Sequence, residues 1–310
     1  MIFSSTMQQM TILFIYMIIG FILVKAKVVG AEGSKVLSRL ENNVFIPALV
    51  FGTFARQFTR QTLSTAWKLL LFSFGIEFAV IALALLFGKI FFKEKFVRNV
   101  CVYGLCFANF GFMGNAIVES LFPEHFMMYL IFVLPLWILI YTWGVPSLLR
   151  EPNPLERRKV LGKIKGLINP MFIALFLGAI IGLSGLKMPK VITTVVTSCG
   201  NCMSPLAMVL SGMVFATINL KSAFTNLSVY ICSVLRLIVI PVLFAVIFKF
   251  VPIDKTWYIC LVCSTAMPLG LNAIVIPAAD GKDLTVPAGM AVVSHLLAVI
   301  TIPIMFMIFL

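Results

Sequence analysis

The sequence predicts an all-α integral membrane protein: ten transmembrane helices arranged as two inverted five-helix repeats, with helices 4 and 9 broken. Three observations carry this. The 310 residues are 61% hydrophobic and 11% charged, with a mean hydropathy of +1.10, too little polar surface to coat a soluble globule of that size. The apolar residues fall into ten runs of about 20, the length that crosses a hydrocarbon core of about 30 Å. Two motifs also return at nearly one offset: Asn115-Ala116-Ile117-Val118 recurs as Asn272-Ala273-Ile274-Val275 after 157 residues, and the Asn43, Pro47 pair as Asn201, Pro205 after 158.

In order, spans 1 to 5 are placed near 6–24, 36–55, 67–91, 99–122 and 126–148, and spans 6 to 10 near 169–187, 191–217, 226–248, 256–279 and 285–309. Residues 1–150 form the first repeat, 151–168 a basic linker and 169–310 the second repeat. An odd number of spans per repeat makes the second half enter from the opposite face, an inverted topology. Span 1 has no basic leader or cleavage-like site, and its first charge is Lys25, so it is expected to stay in the membrane rather than be removed as a signal peptide.

The net charge of +13 would suggest nucleic acid in a soluble protein, but here it reads as topology. Loops 1–2, 3–4, 5–6, 7–8 and 9–10 hold 16 Lys and Arg, and the opposite loops hold 7. By the positive-inside rule the richer side is cytoplasmic and both termini are external in the cell membrane. The basic run of the linker is an orientation signal first and an anionic-lipid contact second. The seven cysteines are odd in number and lie mostly inside spans, so they make no disulfide framework. Two CxxC pairs, Cys199/Cys202 and Cys260/Cys263, lack the polar knuckle of a zinc site, and no metal or cofactor is expected. Neither GxSxG, Walker A nor HExxH occurs, which disfavours an enzyme.

Span 4, within Leu105 to Phe122, is interrupted by Asn109, Gly111, Gly114 and Asn115, and span 9 by Pro268, Gly270 and Asn272. Paired interruptions in corresponding segments mark the binding site of a secondary transporter. A broken helix exposes N–H groups at one new end and C=O groups at the other, and the N-terminal end suits a carboxylate. Asn109, Asn115 and Asn272 add amides able to donate to an anion; the same amides would equally serve to satisfy the freed backbone. Asn43, Pro47, Asn201 and Pro205 are candidates on the opposing wall. Glu77 and Arg236 are intramembrane charges at near-equivalent repeat positions. Each costs about 2.5 to 3.5 kcal/mol at the bilayer centre, so they read either as an ion pair or as a proton-coupling carboxylate and an anion-attracting arginine. Glu119 reads as snorkelling toward the interface, and His295 as a hydrogen-bonded packing residue.

Several local patterns resemble the auxin efflux carrier family, which spans plant auxin exporters and bacterial carriers of malate, malonate and related acids. They are Ile46-Pro47-Ala48-Leu49-Val50-Phe51, Asn109 to Gly114, Asn169-Pro170, Arg236 with Pro241, and Ala266 to Asn272. The resemblance implies that helices 4 and 9 cross at the centre, that spans 1, 2, 6 and 7 form a scaffold, and that spans 3–5 and 8–10 move against it. It implies transport of a small organic anion, a dicarboxylate or auxin-like acid, by an elevator motion, and a homodimer formed through the scaffold; H+, through Glu77, or Na+ is the candidate coupling ion. Plant members place proline where this chain has Ala116 and Ala273, so Gly111, Gly114 and Gly270 are expected to supply the looseness of the breaks. A sodium-coupled carrier of the bile-acid symporter type, or a membrane receptor that binds without transporting, are the competing readings.

Overall fold

Long apolar runs with capping residues at their ends make long helices, and the computed structural model is helical nearly throughout. It describes residues 2–30, 32–149, 169–218, 224–279, 282 and 284–310; the basic linker expected over 151–168 lies outside these. Helices α1 (Ile2–Lys25), α2 (Glu32–Leu40), α3 (Ile46–Gln57), α4 (Arg60–Phe91), α5 (Lys95–Cys106), α6 (Asn115–Leu121), α7 (Phe126–Phe132) and α8 (Leu134–Leu139) make the first half. The second holds α9 (Pro170–Ser184), α10 (Lys190–Ala216), α11 (Leu227–Val234), α12 (Ile240–Lys249), α13 (Lys255–Thr265), α14 (Asn272–Ala279) and α15 (Thr285–Phe309). Among the described residues six stretches are long and apolar enough to cross a membrane: α1, α4, Pro123–Leu149, α10, Leu227–Lys249 and α15. Interruptions keep α5/α6 and α13/α14 from counting as single helices.

Local chemistry sets the ends. A capping box starts α4, Thr59 Oγ1 accepting from the Thr62 N–H at 3.3 Å while Thr62 Oγ1 accepts from the Thr59 N–H at 2.7 Å. Asn169 caps α9 by accepting from the Phe172 N–H at 3.1 Å, with Pro170 in the first turn. The same helix stops at Gly185, whose φ of 70° is the left-handed C-cap conformation.

Proline explains two of the wide turns. Glu41–Phe45 and Leu235–Val239 are π-helical, and two residues beyond each comes a proline, Pro47 and Pro241. A proline lacks the donor for its i−4 carbonyl and its ring crowds that carbonyl, so the preceding turn widens to i−5 bonding. The Asn43, Pro47 motif therefore has a local meaning: Asn42 and Asn43 return their amide N–H groups to the carbonyls of Ser38 (2.8 Å) and Arg39 (2.7 Å) beside the wide turn. Its counterpart at Asn201 and Pro205 lies within the continuous α10.

Small residues let helices touch backbone to backbone, as membrane helices do. Gly20 of α1 and Gly212 of α10 each abut the other helix's carbonyls, at Val209 and Met17, while Gly178 and Gly182 of α9 abut carbonyls of Phe51, Phe54 and Phe58 on α3 and its cap. Thus α1 lies along α10 and α3 along α9, with α10 also against α3. Helix α4 packs on α5 and α7, α15 packs on α11, and α15 also lies against α1. The outward faces carry large apolar side chains, among them Ile15, Leu71, Phe78, Ile180 and Val191, each at least half exposed. That surface needs lipid around it.

Candidate functional site

The site grows from the two interruptions. Helix α5 ends at Cys106 and α13 at Thr265, and the two freed strands meet in a short antiparallel bridge, Ala108 opposite Leu269. The Asn109 N–H donates to the Pro268 carbonyl at 2.7 Å, and the Gly270 N–H to the Phe107 carbonyl at 3.2 Å. Each break satisfies part of the other's backbone, which is why two such interruptions coexist inside an apolar protein. None of the glycines here has a positive φ. Gly270 is required by proximity instead, since a Cβ would fall 3.0 Å from the Phe107 oxygen and 3.1 Å from that of Ala108. Gly111 similarly lies under Trp137, and Gly114 under the Tyr129 hydroxyl. The looseness expected of these glycines is thus replaced by close packing.

The carbonyl ends of both breaks converge on Arg236. Its Nε donates to Met267 O at 2.9 Å, Nη1 to Leu105 O at 2.8 Å and Nη2 to Ser264 O at 3.1 Å. A fully charged, forked donor is matched to the negative ends of α5 and α13. Glu77 is buried close by, with Oε1 lacking a hydrogen-bond partner. No Glu77–Arg236 salt bridge forms among the described residues, so the ion-pair alternative gives way to a bond between arginine and backbone.

Helix α15 holds the junction from a second side. Ser294 Oγ accepts from the Leu269 N–H at 3.2 Å. His295 Nδ1 lies 2.8 Å from the Ala291 carbonyl and Nε2 lies 2.9 Å from Asn109 Nδ2. A carbonyl only accepts, so Nδ1 carries the proton, Nε2 accepts, and the Asn109 amide donates to it. Asn109 is therefore anchored by His295, in keeping with the packing role expected of that histidine.

The opposite, N–H side of the junction opens onto a cavity of about 310 Å³. Asn109, Gly111, Gly270 and Asn272 line it from the breaks, and Ser34, Lys35, Ser38, Arg39 and Asn42 from α2 and the wide turn after it. Tyr103, Phe107, Phe110, Trp137 and Tyr141 supply aromatic walls, and Leu210 and Val214 come from α10. Lys35 also pairs with Glu32 at 3.0 Å on the exposed side. The first backbone N–H to bond back after the first break is that of Met113, to Asn109 O, which leaves the N–H groups of Phe110, Gly111 and Phe112 as the start of a half-helix beside the cavity. Cationic side chains, free amide donors and aromatic faces together suit an organic anion with an apolar body.

The remaining candidates lie elsewhere. Asn115 is buried behind the wall with Oδ1 unpartnered, Pro268 contributes its carbonyl to the bridge, and Asn43 and Asn201 are exposed. Pro47 and Pro205 shape helices outside the cavity lining. The repeated tetrapeptide is thus not equivalent in space: Asn272 follows the bridging Leu269 by three residues, whereas Asn115 follows Ala108 by seven, across the π turn Phe110–Gly114. Sequence reasoning missed Asn42 and Ser38 and counted Lys35 and Arg39 only among the loop charges. Their signal was the spacing Ser34, Ser38, Asn42 and Lys35, Arg39, which puts polar groups on one helical face.

Apolar helices, two mutually bonded interruptions and a cavity beside them lined by aromatic and polar groups define a multi-pass helical membrane protein with a solute-sized cavity. Residues 5–306 match the model of a family described as membrane transport protein, and the chain belongs to this family, that of the auxin efflux carriers. No curated protein matches the chain.

Proposed function

We propose that this transporter carries a small organic anion, a dicarboxylate or an auxin-like acid, by an elevator motion. The observation that carries the reading is the polarity of the junction: Arg236 closes its carbonyl ends, while its N–H ends open onto a cavity shared with Lys35 and Arg39. An anion is then favoured on the open side by helix ends and cations together. Asn109, Gly111, Gly270 and Asn272 are the binding residues on the moving side, and Ser38, Asn42 and Arg39 face them from the scaffold.

The finer architecture belongs to the same proposal. Ten spans cross the membrane as two inverted repeats, both termini lie outside the cell, and α1 to α3, α9 and α10 form a scaffold, through which two copies pair. The close glycine contacts α1/α10 and α3/α9 support a rigid unit. The proton is proposed as the coupling ion, because Glu77 offers a buried carboxyl oxygen without a partner, and Arg236 is the charged group that acts on it.

Counterflow in proteoliposomes containing only this protein, with a panel of labelled carboxylates, tests the reading. One or more organic acids should exchange, and Asn272→Ala should weaken binding about five- to 150-fold, the equivalent of about 1 to 3 kcal/mol for a lost hydrogen bond. Absence of exchange with every acid, alongside ligand-induced thermal stabilisation, would instead indicate a receptor. A pH gradient should drive uptake in the parent and not in Glu77→Gln; uptake driven by sodium alone would overturn the proton assignment.

A further inference from the structure

A second cavity, of about 180 Å³, lies where α1 and α10 meet α15. Its floor is Met17, Gly212, Phe215, Val292 and His295, all buried, and its rim is Ile18, Leu296 and Phe224, which are 46%, 43% and 42% exposed. Although His295 lines it, both ring nitrogens are engaged with Ala291 and Asn109, so the histidine presents carbon to the groove. The lining is apolar and the rim faces the surface that lipid must cover.

We propose that this groove binds one acyl chain of an anionic phospholipid, with the headgroup phosphate at Lys25. Phe14, Ile18 and Phe21 of the groove are followed by Lys25 at successive steps of four, three and four residues along one face of α1. At 1.5 Å per residue the row from Phe14 to Lys25 is roughly 16 Å long, about half of a 30 Å hydrocarbon core, the depth of one leaflet. The Lys25 ammonium stands 5.6 Å above the Phe21 ring, at the end of the groove where a headgroup belongs. Opposite charge at that depth favours a phosphodiester.

The site touches the first cavity through one side chain, since its floor residue His295 holds Asn109. A chain seated there touches α1, α10 and α15 together. Any consequence for flux rests on the proposed sliding motion; lipid binding does not, so the two ideas fail separately.

Native mass spectrometry of the purified full chain, titrated with phosphatidylglycerol, is the test. The parent should retain one phosphatidylglycerol per chain. Ile18→Trp and Leu296→Trp, which fill the groove from different helices, should each lower its occupancy at least tenfold, while Ile180→Trp, on the lipid-facing side of α9, should leave it unchanged. Lys25→Gln should weaken phosphatidylglycerol about fivefold and leave phosphatidylcholine unaffected. Thermal unfolding of each variant identifies any that fails to fold, and either tryptophan alone suffices. The proposal is overturned if a folded groove-filling variant retains phosphatidylglycerol like the parent, if Ile180→Trp loses as much, or if oleate displaces phosphatidylglycerol at equal concentration.

Discussion

Three carbonyl oxygens converge on Arg236 because α5 and α13 both end there, and each would otherwise leave unsatisfied acceptors in an apolar interior. Lysine carries the same charge without the fork, so Arg236→Lys should lower the unfolding temperature in detergent, and Arg236→Gln should lower it further. If the arginine instead served mainly to neutralise Glu77, the double variant Glu77→Gln/Arg236→Gln would recover stability lost in the single one. No recovery is expected, and recovery measured by thermal unfolding would move the bond from backbone to carboxylate. The sequence marked Arg236 through its depth and its near-equivalence with Glu77, but three backbone acceptors have no side-chain signature to read. Asn109 was legible as a member of the break; its tie to His295, 186 residues away, was not. The aromatic walls were hidden for another reason, since aromatic residues are common throughout the chain.

At the level of elements, proline does more than interrupt. The wide turn Leu235–Val239 contains Arg236 and precedes Pro241, so the proline sets the rotation at which the guanidinium meets its carbonyls. Pro241→Ala should let this stretch relax toward ordinary α-helix, rotating Arg236 by part of a turn, and should lower the unfolding temperature in the same direction as Arg236→Gln; an unchanged temperature would show that the turn persists without its proline. Glycines divide in a similar way. Gly178→Val and Gly182→Val push α9 away from the carbonyls of α3 and its cap and should cost folded yield, whereas Gly75 meets nothing within 4 Å, and Gly75→Ala should leave stability unchanged or raise it by up to about 1 kcal/mol. Size-exclusion recovery and thermal unfolding check both. Some span positions were legible closely and others less so: span 10, placed near 285–309, is α15, Thr285–Phe309, whereas span 3, placed near 67–91, belongs to a helix that already starts at Arg60. Hydropathy reports such runs directly. It does not report which small residues touch another backbone, because Gly178 and Gly75 look alike until the neighbouring helix is in place.

For the molecule as a whole, the proposed inverted repeat makes a geometric demand that no soluble protein has to meet. Positions separated by the repeat offset must face opposite sides of the membrane, and Val28 and Leu186 are such a pair, 158 residues apart. Both are 70% exposed, Val28 after α1 and Leu186 after α9. In the proposed topology, which follows the imbalance of 16 to 7 basic residues between the two sets of loops, Val28 lies in the cytoplasm and Leu186 outside. Asn115 and Asn272 sit differently relative to the junction, so similarity of sequence alone does not guarantee opposed orientation. Cysteines introduced singly at Val28 and Leu186, in a background with the native cysteines replaced, should therefore react differently with a membrane-impermeant maleimide applied to intact cells. Leu186→Cys should label before lysis and Val28→Cys only after it. Labelling of both from the same side would remove the inverted repeat and with it the elevator motion, while leaving the bonded junction and its cavity in place; the reverse pattern would keep the repeat and turn the open cavity toward the other compartment.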